Sequence, residues 1–433
     1  MQKIKIVVVG GGPSGMMATI RAAGLGQDVT LLEKKDSVGN KLLLSGKGRC
    51  NLTNTEELEY FLKRFSKNGD FLRDAFKKFF NRELMDFFEQ RGLKLKIERQ
   101  MRVFPHTDCS ASVLNILKKE LEKSGVQVIY KAKVVNVLLS NGQVKAVRLE
   151  NGKDIVSNKI ILACGGASYS FTGSDAAGIN IASKLGHSIV PLRPGLVPLD
   201  VKQGYPRKLE GLTLRNIKLK FSDGKAQIVS EIGELVFTAS GISGPLVITL
   251  SGRVIDMLAQ NKNVCVEIDF KPALSIEQLD NRLLRELKAN VKKSIKNALK
   301  ELLPLRLIKV FIDAAAIDLL KKCSQITQAE REKIVSLLKG FRMDISGARP
   351  IEEGMITRGG VNLKEINPRT MESRLIKGLY FCGEMIDVDA DTGGFNLQAA
   401  FSTGYLAGES AAKPRDGSQL KAKLFPLTGT VLL

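Results

Sequence analysis

The chain of 433 residues carries 66 Lys and Arg against 45 Asp and Glu, a formal charge of +21, and is 44% hydrophobic and 26% charged. That length accommodates two or three domains with sizeable cores, and the composition excludes disordered and fibrous classes. Six scattered cysteines without a C-x-x-C pair exclude a disulfide scaffold and argue against a zinc site or a redox dithiol; with no leader pattern and no membrane-length apolar run, the expectation is a cytoplasmic protein without metal or membrane partner.

Residues 3–9 form a β-branched run that predicts a strand. Gly10-Gly11-Gly12-Pro13-Ser14-Gly15 follows without a spacer, Met16 to Leu25 reads as a helix, and Asp28 to Leu32 as a second strand ending on Glu33. This is the order that holds a dinucleotide. Gly10 permits the tight turn, Gly12 lets backbone approach a pyrophosphate, and Gly15 lets helix and strand pack closely, while Pro13 and Ser14 open a helix whose N-terminus faces the phosphates. Glu33 accepts hydrogen bonds from ribose hydroxyls and disfavours a 2′-phosphate, which selects FAD or NAD over NADP. Lys34, Asn40, Lys41 and, further on, Val134 complete this part of the expected cofactor site.

Residues 40–54 read as a small-residue loop able to lie against a flat ligand, with Ser45, Gly46, Gly48, Arg49, Cys50 and Asn51 at its centre. Residues 55–92 predict helix, with Phe61, Phe65, Phe76, Phe79, Phe80, Phe87 and Phe88 as core. Segments 95–97 and 102–105 predict a hairpin, 111–124 a helix, and 126–130, 132–139, 144–149 and 159–163 strands, with Asn141-Gly142 and Asn151-Gly152 as turns. The last of these strands ends on Ala163-Cys164-Gly165-Gly166, small residues suited to a sheet edge beside a cofactor.

Beyond His187 the composition changes. Residues 199–270 alternate apolar and polar in short strands, the pattern of an inserted β-rich domain over 191–274. Residues 275–342 are helical and basic: Arg282, Arg285, Lys288, Lys292, Lys296 and Lys300 recur at three- and four-residue steps, with Leu284, Leu287, Val291, Ala298 and Leu302 on the other side. That stripe is either a contact for RNA or another polyanion or a solvated face.

From 343 to 412 the chain returns to the nucleotide fold. Leu379 to Phe381 is a strand that leads into Gly383-Glu384, and Gly393-Gly394-Phe395-Asn396-Leu397-Gln398 opens a helix. A Gly-acid at a strand end can hold a ribityl hydroxyl, and a Gly-Gly turn entering a helix aims N–H groups at the flavin pyrimidine edge, which favours FAD over NAD. Residues 413–433 remain unassigned.

These segments together resemble the HI0933-like flavoproteins, also called the BaiN family. The resemblance rests on Gly10 to Gly15, Ser45 to Asn54, Arg102 to Pro105, Gly165 to Tyr169, Gly195 to Leu199, Gly241 to Pro245, Asn367 to Ser373 and Thr357 through Gly408. It implies an α/β fold: a glutathione-reductase-like FAD-binding Rossmann domain built from residues 1–190 and 343–412, holding an inserted β-barrel and a small helical domain. It also implies FAD-dependent oxidoreductase activity, with NAD(P)H as a transient reductant because no second nucleotide-binding unit is present. Members of the family are assigned to reduction of activated C=C bonds, to amine oxidation and to dihydrouridine formation in large-subunit ribosomal RNA. Only the last accounts for the positive charge, so a uridine in RNA is the leading substrate expectation, a small molecule the alternative, and a non-catalytic FAD-stabilised RNA-binding protein a third reading. Cys50 is the expected acid, with Arg49 and Asn51 as uracil donors; the family histidine after the Thr of Thr-x-x-Gly is replaced here by Ala239.

Overall fold

The computed structural model of the chain describes residues 3–260 and 263–413. It divides into two compact units, Met1–Arg193 with Met355–Leu433, and Pro194–Gly354.

The first unit is built on a five-stranded parallel sheet in the order Leu379–Phe381, Lys159–Leu162, Lys5–Val9, Asp28–Leu32, Gln127–Ile129. Its central strands are apolar on both faces, as a sheet covered on both sides requires: Val7, Val8, Leu31, Ile160 and Ile161 are all buried. Because the strands are parallel, their C-terminal ends lie along one edge. Gly10, Glu33, Ala163 and Gly383 therefore emerge together, although they come from opposite ends of the chain.

The helix Pro13–Gly24 packs directly on Phe395–Ala412, the last described helix. A Cβ on Gly404 would lie 2.2 Å from the Ser14 carbonyl oxygen, and one on Gly408 2.3 Å from that of Ala18, so the two backbones touch where the side chains are absent. The long helix is buried almost all round, which its mostly apolar and small residues allow. The Asn141-Gly142 turn has positive φ at both positions, 51° and 71°, the geometry of a two-residue hairpin turn.

The expected phenylalanine core is present, with Phe61 meeting Phe76 edge-on at 5.3 Å and Phe395 at 4.7 Å. The single long helix expected over 55–92 is not. It breaks into Leu58–Leu62, Arg73–Lys78 and Asn81–Glu89 because the intervening segment leaves to pair with residues 387–391, with the Ser66 N–H donating to the Asp389 carbonyl and the Asp391 N–H to that of Arg64. The stretch expected as a loop over 40–54 likewise begins as a short helix, Asn40–Leu44, whose Leu42 is buried.

In the second unit Thr213–Ser222 pairs with both Gly233–Phe237 and Val264–Asp269, and the ring continues through Phe341–Ala348, Leu199–Val201 and Gly241–Ser243. Six strands thus close into a barrel and leave few open edges. The helices Ile276–Ala289, Ile295–Leu299, Leu305–Ala315 and Gln328–Lys339 share one core with it, in which Phe270 and Phe311 meet Phe341. The β-rich and helical segments are therefore one unit rather than two domains. Residues 343–354 fall within it, because Phe341–Ala348 is hydrogen-bonded on both sides into the barrel.

Replacing Gly404 by Val is expected to lower stability by about 3 kcal/mol or more, at the upper end for overpacking, because backbone faces the added carbons. Gly24→Ala, where a Cβ meets nothing within 4 Å, is expected to be neutral or slightly stabilising. Urea midpoints of the two variants check the pair.

Candidate cofactor and active site

The edge formed by the strand ends is lined by glycines that nothing else could replace. Gly10 has φ of 105°, and a Cβ there would lie 2.5 Å from the Ala163 carbonyl; one on Gly15 would lie 1.9 Å from the Gly10 carbonyl. Gly12 is different: a Cβ would meet nothing within 4 Å, and its open face leads to the unpaired N–H groups at the start of the helix Pro13–Gly24. Glu33 is buried, with one carboxylate oxygen accepting from the Gly11 N–H at 2.7 Å and the other from the Lys35 N–H at 2.8 Å. Each oxygen keeps a lone pair for a hydroxyl. Beside it Lys34 is paired with Asp175 at 2.5 Å, and the Ser174 hydroxyl is buried without a hydrogen-bond partner.

A second part of the edge is a polar network centred on Glu384. One of its oxygens accepts from Lys41 Nζ at 2.6 Å, the other from the Ser168 hydroxyl at 3.0 Å and from the Thr357 N–H at 2.5 Å. Lys41 also donates to Ser168 Oγ at 2.6 Å, and Thr357 Oγ1 accepts from the Ala167 and Ser168 N–H groups. Gly166 lies so close to Thr357 that a Cβ would be 2.2 Å from its hydroxyl. The Gly383 N–H donates to Thr403 Oγ1 at 3.0 Å.

The third part is the Gly393-Gly394 turn, with φ of 136° and 96°. A Cβ on Gly394 would lie 2.4 Å from the Thr53 carbonyl, so segment 51–54 is pressed against the turn. The Asn51 amide, with its oxygen turned to Gly394, accepts from that N–H at 3.0 Å and donates to the carbonyls of Thr53 and Val103. Asn396 brackets Ala390 and Asp391 through their backbone, while buried Gln398 accepts from the Thr53 hydroxyl and donates to Ser402.

The structure brings most of the expected cofactor residues to this one edge, in four roles. Gly10, Gly12, Pro13, Ser14, Gly15, Gly165, Gly383 and Gly393 offer backbone. Glu33, Lys41 and Glu384 offer charged groups. Asn40, Ser45, Asn51, Asn396 and Gln398 spend their polar atoms on neighbouring backbone or side chains, and Val134, Ala163 and Phe395 are buried packing residues. The sequence reading passed over Ser168, Ser174, Thr357 and Thr403. The signal for Thr357 was its place in Gly354 to Val361, a glycine-flanked strand returning to the edge.

The expected catalytic trio is not free in this structure. Cys50 is fully buried, has φ of 62°, and burial pushes its thiol up to about 12. Arg49 is bound to Glu98 and to Asp108 at 2.8 Å, and lies over the Phe104 ring at 4.2 Å, so its guanidinium is committed; the two acids raise its pKa. With Asn51 holding Gly394, none of the three is a free donor to a uracil. His187 is buried against Ser373 at 2.8 Å and Phe381, and burial lowers its pKa.

The basic stripe also changes form. The helix Ile276–Ala289 ends before Lys292, and Ile295–Leu299 starts a new one, so the cations do not share one helical face. Arg282 is half-buried and donates to the Glu301 carbonyl, and Val291, expected to pack, is 47% exposed. Arg285, Lys288, Lys292, Lys296 and Lys300 remain exposed.

The profile described as the HI0933-like protein Rossmann domain matches residues 4–410. The chain belongs to the HI0933-like family. It is 33% identical over 411 residues to the 3-dehydro-bile acid delta(4,6)-reductase of Clostridium scindens, covering 94% of this chain and 99% of that one. It is 28% identical over 412 residues to the ribosomal RNA dihydrouridine synthase of Escherichia coli, covering 94% and 98%. Among solved structures, the 3-ketosteroid delta1-dehydrogenase of Sterolibacterium denitrificans superimposes with a TM-score of 0.50 at 13% identity, over 95% of this chain and all of that one, a likeness of fold. This HI0933-like protein is an FAD-dependent oxidoreductase by family, and the edge just described suits FAD: an open glycine before a helix N-terminus for the pyrophosphate, a buried carboxylate for the ribose, and an unpartnered Ser174 hydroxyl nearby.

Burial also pushes Cys164 and Cys382 up to about 12, whereas Cys109 is exposed. At pH 8 a thiol of that kind is ionised about once in 10⁴ molecules, and the thiolate is the nucleophile. Titration with a chromogenic disulfide is therefore expected to modify Cys109 promptly and Cys50 and Cys382 only after denaturant is added; prompt loss of all three thiols would contradict the burial.

Proposed function

We propose that this chain holds FAD along the parallel-sheet edge and reduces a C=C bond conjugated to a carbonyl, with a uridine in ribosomal RNA as the substrate. The observation that carries the cofactor assignment is the convergence on one edge of Gly10 to Gly15, Glu33, Gly383-Glu384 and Gly393-Gly394, from both ends of the chain. In this reading the pyrophosphate lies before the helix Pro13–Gly24, Glu33 takes the adenosine ribose, Glu384 takes a ribityl hydroxyl, and the turn at Gly394 faces the pyrimidine edge. FAD, once reduced by a dihydronicotinamide, supplies the hydride. The protein's part is to orient the ring and deliver the proton.

The conjugated C=C bond is what the two named relatives have in common. A 3-dehydro bile acid with delta(4,6) unsaturation has its double bonds conjugated to the 3-ketone, and uridine has C5=C6 conjugated to the C4 carbonyl. The choice of RNA rests on charge. The chain carries +21, and Arg285, Lys288, Lys292, Lys296 and Lys300 are exposed without an acidic partner among the described residues, an arrangement that suits a phosphate backbone. A small enone is the second reading, favoured by the 33% identity to the bile acid reductase.

Mass-spectrometric nucleoside analysis of ribosomal RNA from cells with and without the protein distinguishes the two. Dihydrouridine is expected to disappear on deletion and to return when the purified flavoprotein and NAD(P)H are added back. Unchanged nucleosides would remove RNA as the substrate and leave the enone reading to be tested by NAD(P)H consumption.

A further inference from the structure

With Cys50 sealed in the core, the reaction proposed above still needs a proton donor. The loop 385–392, which joins Glu384 to the Gly393-Gly394 turn, carries Asp387, Asp389 and Asp391 within five residues. Asp389 is occupied: it accepts from Ser66 Oγ at 2.7 Å and from Arg358 Nε at 3.2 Å, in a pair buried on both sides. Asp387 lies near enough to feel its charge and, among the described residues, has no ion pair of its own. Its carboxylate accepts from Asn68 Nδ2 at 3.0 Å, and the same amide donates to its backbone carbonyl at 2.8 Å. The backbone is fixed as well, with the Asp387 N–H donating to Val361 and segments 64–66 and 389–391 paired. The result is two carboxyls near the buried Arg358 guanidinium, on a loop bounded at both ends by the residues assigned to the flavin.

We infer that Asp387 is the general acid, giving its carboxyl proton to the α carbon of the conjugated double bond as the β carbon accepts hydride. This rests on the reading that the chain reduces such a bond. Two electrons and one hydrogen reach the β carbon as hydride from the reduced cofactor, which a dihydronicotinamide restores. The second hydrogen is the Asp387 proton, and the resulting carboxylate is reprotonated from water. Burial and the Asp389 charge push the Asp387 pKa up, against smaller opposing effects of Asn68, Lys67 and Arg358. That is the direction an acid needs. The side chain is half-buried.

The experiment compares D387N, D387E and D389N as FAD-loaded full-length protein by two independent readouts. In infrared titration, wild type is expected to show a carboxyl band that titrates above the free aspartate range. The band should be absent in D387N and moved to lower pH in D389N, where the like charge is gone. In stopped flow, D387N is expected to slow reoxidation of the reduced flavin by the C=C substrate about 100-fold. Reoxidation by ferricyanide, which needs no proton, should be unaltered, and D387E should restore part of the rate. A band that persists in D387N, or substrate-driven reoxidation at the wild-type rate in that variant, overturns the assignment. If neither ribosomal RNA nor an enone reoxidises the wild-type flavin, the C=C reading fails and the proton-donor role falls with it, even where the infrared band maps to Asp387.

Discussion

The first unit depends on the close approach of two helices that lie almost 400 residues apart in sequence. Where Gly404 and Gly408 meet the carbonyls of Ser14 and Ala18, the return helix sits deep enough for Gly383 to reach Ser14 and for the Gly393-Gly394 turn to reach segment 51–54. The contact is closed at its outer end by Arg21, which pairs with Glu409 at 2.6 Å and lies over the Tyr405 ring at 4.5 Å. A buried ion pair contributes little by itself once desolvation is counted; here it fixes the rotation of the helices, and with it the register of the glycines. The remote second half of the site is affordable because loop-closure entropy grows only with the logarithm of loop length, so residues 194–354 can fold as a unit of their own between the two halves.

Around the sheet edge, side chains and backbone divide the work. Side chains that look like ligands in the sequence, Asn51, Asn396 and Gln398, turn their polar atoms to neighbouring groups, mostly backbone, and lock the loops. What they leave facing outward is peptide N–H and a few carboxylates. Glu384 illustrates the consequence. With Lys41, Ser168 and the Thr357 N–H all donating to it, charge-assisted hydrogen bonds from three separate segments hold one carboxylate in one orientation. A group fixed in this way binds a ligand without first being ordered, and the ordering cost is met during folding rather than during binding.

The strand, turn, helix and acid at the start of the chain were legible because each signal is local: β-branched runs, a glycine at each backbone approach, an acid at a strand end. The Gly-Gly turn before Phe395 was legible for the same reason. What could not be read was burial. Cys50 lies among small polar residues that suggest an exposed loop, yet cysteine is also a small hydrophobe, and only the packing decides which property is used. The break in residues 55–92 was equally hidden, since the phenylalanine spacing continues through Phe65 while the backbone leaves to pair with a segment more than 300 residues away. The cation stripe failed at Val291, where apolar periodicity runs on past the end of the helix.

The positive charge divides in a way that separates two physical effects. The second unit holds 26 Lys and Arg against 19 Asp and Glu, only +7 of the chain's +21, so most of the excess lies in the unit that carries the nucleotide fold. A field spread over the whole surface accelerates encounter with a polyanion from many directions, but at physiological salt it is screened within about 8 Å. Beyond that distance it selects nothing. Selection has to come from contact, and contact favours cations that are exposed and unneutralised, as Arg285, Lys288, Lys292, Lys296 and Lys300 are, over those held in ion pairs, as Arg49, Arg73 and Arg148 are. Net charge therefore bears on how fast any polyanion would arrive, and the exposed cations bear on whether it would stay.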